Sequence, residues 1–264
     1  MITQIINYLY RNWPAKTQVR RYHGQSVYLP RAGYSDLTLR RDGVYEEGNS
    51  QIVCRLARPG SWVIDIGTNL VLMSIPVLAS SPDVRVLSFE PSQNALKMLR
   101  QTMAESAFKE RWQLIPKCLG AEPGTVTFSL SDGVNIEYDG LRHTGRVEAG
   151  GTCEVPMTTI DIEWKNLGSP PVSVIKCDVE GGEIGVLLGA KECLAATRAH
   201  VLMEWNESNF QAYGVTTAEL LTLVDALECD IYSAPHMIPV KGLHEMQVQM
   251  IVSENFLLVP RGGK

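Results

Sequence analysis

The fold is decided by the segment Trp62-Val63-Ile64-Asp65-Ile66-Gly67-Thr68-Asn69. A short apolar strand ends at an acidic residue, and the chain then turns through Gly67 toward a predicted helix containing Leu70–Met73. In open α/β sheets, ligands bind at such strand ends, where the strand order reverses. Gly67 lets the backbone approach a ligand closely, and the Asp65 carboxylate can order the turn or attract a ligand ammonium group. The segment therefore predicts a ligand-binding turn.

A second acidic residue, Glu90, follows the next predicted strand and is itself followed by Pro91. A carboxylate in this position can accept hydrogen bonds from both hydroxyls of a ribose. A plain strand–turn–helix unit with Asp65 as a cap is the alternative interpretation, and Glu90 weakens it. The two segments together predict a nucleoside site.

The residues of the turn favour S-adenosylmethionine over a nicotinamide dinucleotide. A dinucleotide site is typically G-x-G-x-x-G with a pyrophosphate at the helix N-terminus, whereas this turn has one glycine, with Asn69 and Val71 where others are expected. A carboxylate beside the turn would repel a pyrophosphate. S-adenosylmethionine carries no phosphate and has an ammonium group, so it suits the turn better.

Strands and helices alternate from Pro59-Gly60 onward, which predicts an α/β fold with a mostly parallel sheet and helices on both faces. The tail predicts a C-terminal antiparallel hairpin, with strand-like stretches at 230–233 and 256–259 and an alternating pattern at 247–252. Ser92 and Thr216 or Thr217 are predicted helix caps. The predicted strands are Trp62–Ile66, Arg85–Phe89, Trp112–Pro116, Val172–Cys177 and Ala199–Glu204.

The chain is predicted to consist of an N-terminal extension, residues 1–58, and a nucleoside-binding domain, residues 59–264. The extension begins with an amphipathic helix, Met1–Trp13, which is compatible with a homodimer. A strand pair near Val27–Leu29 and Leu37–Leu39 and a helix near Asn49–Leu56 follow. Ser131–Gly151 is predicted to be a long binding loop or lid.

Composition narrows the class of protein. The 24 basic and 29 acidic residues give a net charge of −5, which argues against a nucleic-acid partner. The six cysteines form no C-x-x-C pair, so we expect reduced thiols and a cytoplasmic protein. No apolar run reaches the ~20 residues of a membrane span, and the N-terminus lacks the basic start of a signal peptide.

Three motifs resemble the FkbM family of methyltransferases. They are Asp65–Asn69, then Phe89–Ser92, then Ile175–Glu183 followed by Leu187–Ala190, with Thr159–Asp161 as a further short match. The resemblance runs from about Tyr45 to Pro260. It implies a class I methyltransferase, Rossmann-like fold with a seven-stranded sheet, and O-methylation of a sugar or macrolide/polyketide-type hydroxyl in natural product biosynthesis.

The sequence departs from the family pattern at Val71, where the second glycine of the motif is expected. A β-branched side chain there predicts either a helix that starts differently or weakened donor binding. The predicted donor-binding residues are Asp65, Gly67, Asn69, Glu90, Pro91, Lys117, Cys118 and Asp178.

Acidic residues at two further strand ends are the candidates for catalysis. Asp178 and Glu180 follow the fourth strand, and Glu204 and Asn206 follow the fifth, so we expect all four near the donor. A carboxylate could accept the proton of the acceptor hydroxyl. Alternatively Asp178, Glu204 and Asn206 could bind Mg²⁺, or Asp178 and Glu180 could order the turn with Lys176 as charge partner.

Several other side chains are candidates for the acceptor side. His143 in the long loop is a candidate acid or base. His236 and His244 are weaker candidates, and His200 is predicted to be structural. Trp205 and Tyr213 could stack on the acceptor or belong to the core.

Three functions follow from the sequence. The first is an active O-methyltransferase that uses S-adenosylmethionine. The second is an NAD(P)-dependent oxidoreductase on a Rossmann-like fold. The third is a degenerate, non-catalytic relative that keeps the fold for binding or assembly, for which Val71 is the one hint.

Overall fold

The computed structural model describes residues 17–131, 136–142 and 149–262. Its main sheet has eight strands in the order β12-β11-β13-β10-β9-β3-β4-β5. The sheet is parallel from β10 to β5, and β13 runs antiparallel between β10 and β11. The strands are β3 (Trp62–Ile66), β4 (Arg85–Phe89), β5 (Trp112–Ile115), β9 (Val172–Cys177), β10 (His200–Glu204), β11 (Cys229–Ala234), β12 (Ile238–Val240) and β13 (Asn255–Pro260).

This order confirms the predicted α/β fold, its five parallel strands and its antiparallel C-terminal strand. The strand count differs by one, because the short strand β12 pairs with the outer edge of β11. Two smaller sheets accompany the main one. They are the hairpin of β1 (Thr17–Tyr22) and β2 (Gln25–Pro30), and a three-stranded sheet of β6 (Cys118–Leu119), β7 (Gly124–Ser131) and β8 (Ala149–Thr158).

Helices cover both faces of the main sheet. The predicted caps are present: the Ser92 side chain accepts from two backbone N–H groups, and Thr216 forms a capping box with Glu219. The α-helices are α1 (Tyr34–Asp42), α2 (Glu47–Leu56), α3 (Ser74–Ser80), α4 (Gln93–Glu105), α5 (Ile160–Asn166), α6 (Glu183–Leu188), α7 (Lys191–Thr197), α8 (Glu207–Tyr213), α9 (Thr217–Ala226) and α10 (Leu243–Gln249).

The core consists of two apolar layers, one on each face of the sheet. Successive residues of a strand point to opposite faces, so Val63 packs in one layer and Ile64 in the other. Val27 and Leu29 of the N-terminal hairpin join the Val63 layer together with Leu96 of α4. The described part of the extension therefore packs against the sheet, and the division at residue 58 stays a prediction.

Three local predictions were wrong. Leu37–Leu39 lies in α1, because β1 takes the place beside β2. Residues 70–73 form turns and α3 begins only at Ser74. Residues 247–252, predicted as a strand from their alternating pattern, belong to α10 and the turn after it. The pattern was misleading because Ile251 and Val252 are apolar but exposed.

The remaining predictions concern the terminal helix, the long loop, the thiols and the membrane. Met1–Trp13 lies outside the described residues. The predicted loop 131–151 is described only in part, and its ends belong to β7 and β8. All six cysteines are free. Among the described residues, no helix is both long enough and apolar enough to cross a bilayer.

Candidate active site

A cleft opens at the carboxyl ends of β3, β4 and β9. About 880 Å³ of empty space, open solvent at its mouth included, lies between its walls. Seven of the eight predicted donor-binding residues line it; these are Gly67, Asn69, Glu90, Pro91, Lys117, Cys118 and Asp178. The structure thus brings together side chains that lie more than a hundred residues apart in the chain.

Gly67 lies against two neighbouring segments of the cleft wall, the end of β4 and the turn after β9. The backbone N–H groups of Gly67 and Thr68 both donate to the Phe89 carbonyl, at 3.1 Å each. Gly67 has φ = +66°, and a Cβ placed on it would lie 1.8 Å from the Asp178 carbonyl oxygen. Only glycine has both this conformation and this space.

Asp65 is the one predicted donor-binding residue that does not line the cleft. It is 1% exposed, and it accepts hydrogen bonds from the Thr68 hydroxyl at 2.7 Å and from the Ser74 hydroxyl. Of the two roles predicted for Asp65, the structure therefore supports ordering the turn. The carboxylate faces the protein interior, so direct attraction of a ligand ammonium group by Asp65 has no support from its position.

Lys176 connects the turn to the end of β9. Its ammonium group donates to the Gly67 carbonyl at 2.9 Å and lies 3.7 Å from Asp65 and 3.5 Å from Asp178. Burial lowers the pKa of Lys176, but Asp178, Asp65 and Glu46 outweigh it, so that the pKa is raised above its usual value. Lys176 therefore stays positively charged beside residues 65–69, the turn predicted to bind the methyl donor (the donor loop).

Glu90 is buried at the end of β4 with its carboxylate on the cleft. The backbone N–H of Asn69 donates to one oxygen and the backbone N–H of Ser92 to the other, both at 2.8 Å. A carboxylate oxygen can accept more than one hydrogen bond, so these contacts orient Glu90 and leave it able to accept ribose hydroxyls. Burial raises the pKa of Glu90 to about 7.

Val71 keeps the backbone conformation that the family motif assigns to glycine. Its φ is +62°, a left-handed value that is costly for a β-branched residue. The side chain is fully buried among the apolar residues on one face of the sheet, and it does not line the cleft. Val71 therefore does not narrow the donor site, and the first of the two predicted consequences, a displaced helix start, agrees with the structure.

Replacing Val71 by alanine is expected to cost less stability than replacing Val86, which is equally buried in β4. Each change removes two carbons, or roughly 1.6 kcal/mol at about 0.8 kcal/mol per buried CH₂. At Val71 about 1 kcal/mol is offset, because alanine adopts the left-handed conformation with less strain. Urea unfolding of both variants measures the difference. An equal or larger loss at Val71 would show that the conformation is not strained.

Lys117 and Cys118, two of the predicted donor-binding residues, lie side by side on the cleft wall just after β5. The Lys117 ammonium forms an ion pair with Glu163 at 2.9 Å. Burial raises the pKa of the Cys118 thiol to about 12, so the thiol is neutral and serves as an apolar surface. A lysine that is already ion-paired and a neutral thiol both suit a wall that packs against an uncharged base such as adenine.

The segment 136–142 contributes residues to the wall of the cleft. The Asn69 amide donates to the Ile136 carbonyl at 2.8 Å, and Ser35 donates its backbone N–H to Glu137 at 3.0 Å. At its other end, Arg142 donates to the Ala212 carbonyl at 2.9 Å. This part of the predicted lid is tied to the donor loop, to α1 and to α8.

Three carboxylates converge beyond the donor loop. One ligand oxygen from each of Asp178, Glu180 and Glu204 lies within 4.8 Å of the others. The fully buried Asn209 amide donates to Glu180 at 3.0 Å and to Glu204 at 3.1 Å. Asp178 and Glu180 line the cleft, whereas Glu204 lies behind them.

The turn that carries Glu180 is ordered by a different carboxylate. Glu183 is 1% exposed and accepts from the backbone N–H of Val179 at 3.0 Å and of Gly181 at 3.4 Å. Burial raises the pKa of Glu183 to about 7. The sequence offered Asp178 and Glu180 as the residues that order this turn. In the structure Glu183 has that role.

Asn206 does not lie where the sequence predicted, and of the two alternatives for Trp205 the structure agrees with a place in the core. The Asn206 side-chain carbonyl oxygen caps α8, and its NH₂ donates to Glu254 at 2.8 Å, so Asn206 is not placed as a metal ligand. Trp205 is fully buried against Phe210 and Phe256 and cannot stack on an acceptor. Tyr213 is half-buried under the Arg142 guanidinium, 5.3 Å from the ring centre.

The histidines do not supply a base within the described cleft. His143 lies outside the described residues. His236 and His244 are exposed and do not line the cleft. His200 lies in β10, where burial lowers its pKa, in keeping with the structural role predicted for it.

Sequence reasoning predicted a binding loop or lid at 131–151, but it did not single out the residues that reach the cleft from this segment and from the N-terminal extension. They are brought in by tertiary packing, and no local pattern marks them as ligand-binding. They include Ser35, Tyr45, Glu46, Glu137 and Asp139.

Residues 68–230, well over half of the chain, match the profile of the methyltransferase FkbM domain. The curated 2-O-methyltransferase NoeI of Sinorhizobium fredii is 25% identical over 190 residues, which cover 67% of this chain and 76% of that protein. A shorter match joins 57 residues to the ribosomal RNA small subunit methyltransferase G of Mycobacterium leprae, at 37% identity over 22% of this chain and 23% of that protein.

A solved methyltransferase FkbM from Methylobacillus flagellatus aligns with 80% of this chain at a TM-score of 0.47 and 13% sequence identity. The aligned part is 50% of that protein, so this chain matches half the length of that relative.

Proposed function

The chain belongs to the FkbM methyltransferase family, and on that premise we propose that it transfers the methyl group of S-adenosylmethionine to a hydroxyl oxygen of a small-molecule acceptor. One observation supports this most. The donor-loop residues Gly67 and Asn69, the ribose-accepting carboxylate Glu90 and the carboxylates Asp178 and Glu180 line one continuous cleft.

The reaction is an in-line displacement at the methyl carbon. The new bond joins the acceptor oxygen to that carbon, the carbon–sulfur bond breaks, and the sulfur leaves as a neutral thioether. Holding the two reacting atoms about 3 Å apart supplies much of the rate. We assign the acceptor proton to Glu180, because this carboxylate lies on the cleft and its turn and partner Asn209 hold it in place.

A divalent metal is a second means of activating the hydroxyl. The carboxylate oxygens of Asp178, Glu180 and Glu204 are the hard ligands that Mg²⁺ takes, with Glu180 in the position that the sequence assigned to Asn206. A bound Mg²⁺ would lower the pKa of the acceptor hydroxyl. Exhaustive chelation distinguishes the two means, since a metal-free base keeps its activity.

The acceptor is proposed to be a sugar or macrolide-type hydroxyl. The name of the Sinorhizobium relative, a 2-O-methyltransferase, supports transfer to oxygen. We expect tritiated methyl groups to pass from the donor to members of a panel of sugars, oligosaccharides and macrolides. Transfer to none of them, with donor binding intact, would move the acceptor to another chemical class.

The two other functions lose support. A pyrophosphate would meet the carboxylates of Glu90, Glu137, Asp139 and Asp178 on the cleft walls, which disfavours a nicotinamide dinucleotide. Val71 was the hint of a degenerate relative, and it lies in the core rather than in the cleft. Calorimetry with S-adenosylmethionine, S-adenosylhomocysteine and NAD tests all three functions. Heat with NAD alone would overturn the proposal.

Donor affinity is expected to rise with pH through about pH 7. Burial raises the pKa of Glu90 to about 7, so the carboxylate is increasingly protonated below that pH and loses acceptor capacity for the ribose hydroxyls. If the ionised form binds, S-adenosylhomocysteine should bind roughly tenfold more tightly at pH 8 than at pH 6.

The variant Glu90→Gln should bind weakly at both pH values and show no such rise. Glu90→Ala should weaken binding by about 1–3 kcal/mol. A flat affinity in the unmodified protein, or unchanged binding by these variants, would show that the ribose does not contact Glu90.

A further inference from the structure

Three cleft residues come from the N-terminal extension, outside the segment 68–230 that matches the family. They are Ser35 in α1 and, at the start of α2, Tyr45 and Glu46. Tyr45 and Glu46 lie on the cleft wall beside the donor loop and the Asp178 turn. The sequence motifs of the methyltransferase domain therefore do not include every group that a ligand in this cleft would meet.

The Glu46 carboxylate faces the cleft rather than its own helix. Glu46 is the N-cap residue of α2, with φ = 41° and ψ = 53°, yet its side chain makes no capping hydrogen bond to the helix backbone. The Asn49 amide instead donates to one of its oxygens at 3.1 Å. The Glu46 carboxylate therefore lies on the cleft wall, where it interacts with neutral donors, the Asn49 amide and the Tyr45 side chain.

Glu46 shares its surroundings with Asp178 and Lys176. Burial raises the pKa of Glu46, and the neighbouring Asp178 charge raises it further, while Lys176 acts in the opposite direction. The same environment raises the pKa of Tyr45 far above its usual range, so that the phenol stays neutral. Glu46 and Asp178 both line the cleft, so their negative charges act on the same space.

The charges around this part of the cleft do not balance. Lys176 faces three carboxylates, those of Asp65, Asp178 and Glu46. Its ammonium group also donates to the Gly67 carbonyl. One cation against three anions leaves an excess of negative charge that a cationic ligand group would neutralise.

We propose that Glu46, together with Asp178, binds the primary ammonium group of the methyl donor's amino-acid part. This inference rests on the proposed function. Glu90 marks the ribose on one side of the donor loop, and the amino-acid part extends from the other side of the ribose. The extension thereby supplies a specificity residue for the amino-acid end of the donor.

The test compares two nucleosides that share adenosine and differ in the amino-acid part. S-adenosylhomocysteine carries the ammonium group, and 5′-methylthioadenosine lacks it. In the variant Glu46→Gln, we expect calorimetry to show S-adenosylhomocysteine binding about tenfold or more weaker, the scale of a lost charged hydrogen bond. Binding of 5′-methylthioadenosine should change less than twofold.

Glu47→Gln is the matched control, because Glu47 is the exposed neighbour of Glu46 in the first turn of α2 and bonds only Gln51 among the contacts described. It removes the same charge beside the same helix end and should leave both affinities unchanged. Glu46→Asp, which keeps the charge on a shorter side chain, should fall between the unmodified protein and Glu46→Gln. Thermal unfolding of each variant verifies the fold.

Three outcomes would overturn the inference. They are unchanged S-adenosylhomocysteine affinity in Glu46→Gln, an equal loss for both nucleosides, and a loss confined to S-adenosylmethionine, which would assign Glu46 to the sulfonium. Failure of the proposed function gives a different result, because the unmodified protein would then bind neither nucleoside.

Discussion

Alanine at Gly67 is expected to abolish donor binding and to lower the free energy of unfolding by about 2–5 kcal/mol. The new Cβ would lie 1.8 Å from the Asp178 carbonyl oxygen, in a residue whose φ is +66°. Backbone on both sides must move, since neither atom belongs to a flexible side chain. The movement would displace the N–H groups of Gly67 and Thr68 from the Phe89 carbonyl, and with them the donor loop.

Gly60→Ala separates the clash from the conformational strain. Gly60 has φ = +75°, and a Cβ added to it would meet nothing within 4 Å. It lies in the turn just before β3, so it reports on the same strand. We expect this variant to lose about 1 kcal/mol and to bind S-adenosylhomocysteine normally. Equal effects of the two substitutions on binding would show that the contact between Gly67 and Asp178 does not shape the site.

Glutamine at Glu180 is expected to lower kcat by about 10²–10⁴-fold, the usual contribution of a positioned acid or base. The substitution keeps the size of the side chain and an oxygen that can accept from Asn209, but it removes the proton acceptor. Affinity for S-adenosylhomocysteine should stay within about threefold, because Glu180 is proposed to act on the acceptor. Turnover is measured with tritiated donor at saturating acceptor.

The control for this variant is Glu207→Gln, a change of the same chemistry at an exposed position in the first turn of α8. Its kcat should not change. A Glu180→Gln enzyme with kcat within threefold of the unmodified protein would remove Glu180 as the proton acceptor in the reaction.

The parts of the site that could be predicted are those that depend on local sequence patterns. Apolar strands bounded by turns predicted β3, β4 and β9 to the residue. A strand that ends in an acid has its last side chain at the sheet edge, so Glu90 and Asp178 reach the cleft from sequence position alone. The role of Gly67 could be predicted because a single glycine directly after an apolar strand is typical of a tight turn that approaches a ligand.

The parts that could not be predicted depend on which way a side chain turns after its strand ends. Trp205 follows β10 directly and turns into the core, where Phe210 and Phe256 enclose it. Asn206 satisfies the first backbone N–H groups of α8 instead of a ligand. Glu46 reaches the cleft only because the β1–β2 hairpin and its following helices pack against the sheet, and this packing leaves no period in the sequence.

Val71 has a consequence for finding relatives of this enzyme in genomes. The backbone at this position is left-handed, with φ = +62°, although the residue is β-branched. Its side chain is buried in the core and does not line the cleft. A search pattern that requires glycine there would discard sequences whose donor cleft is intact. In this chain the backbone conformation of the motif is kept without the glycine, because the surrounding core accommodates the valine side chain.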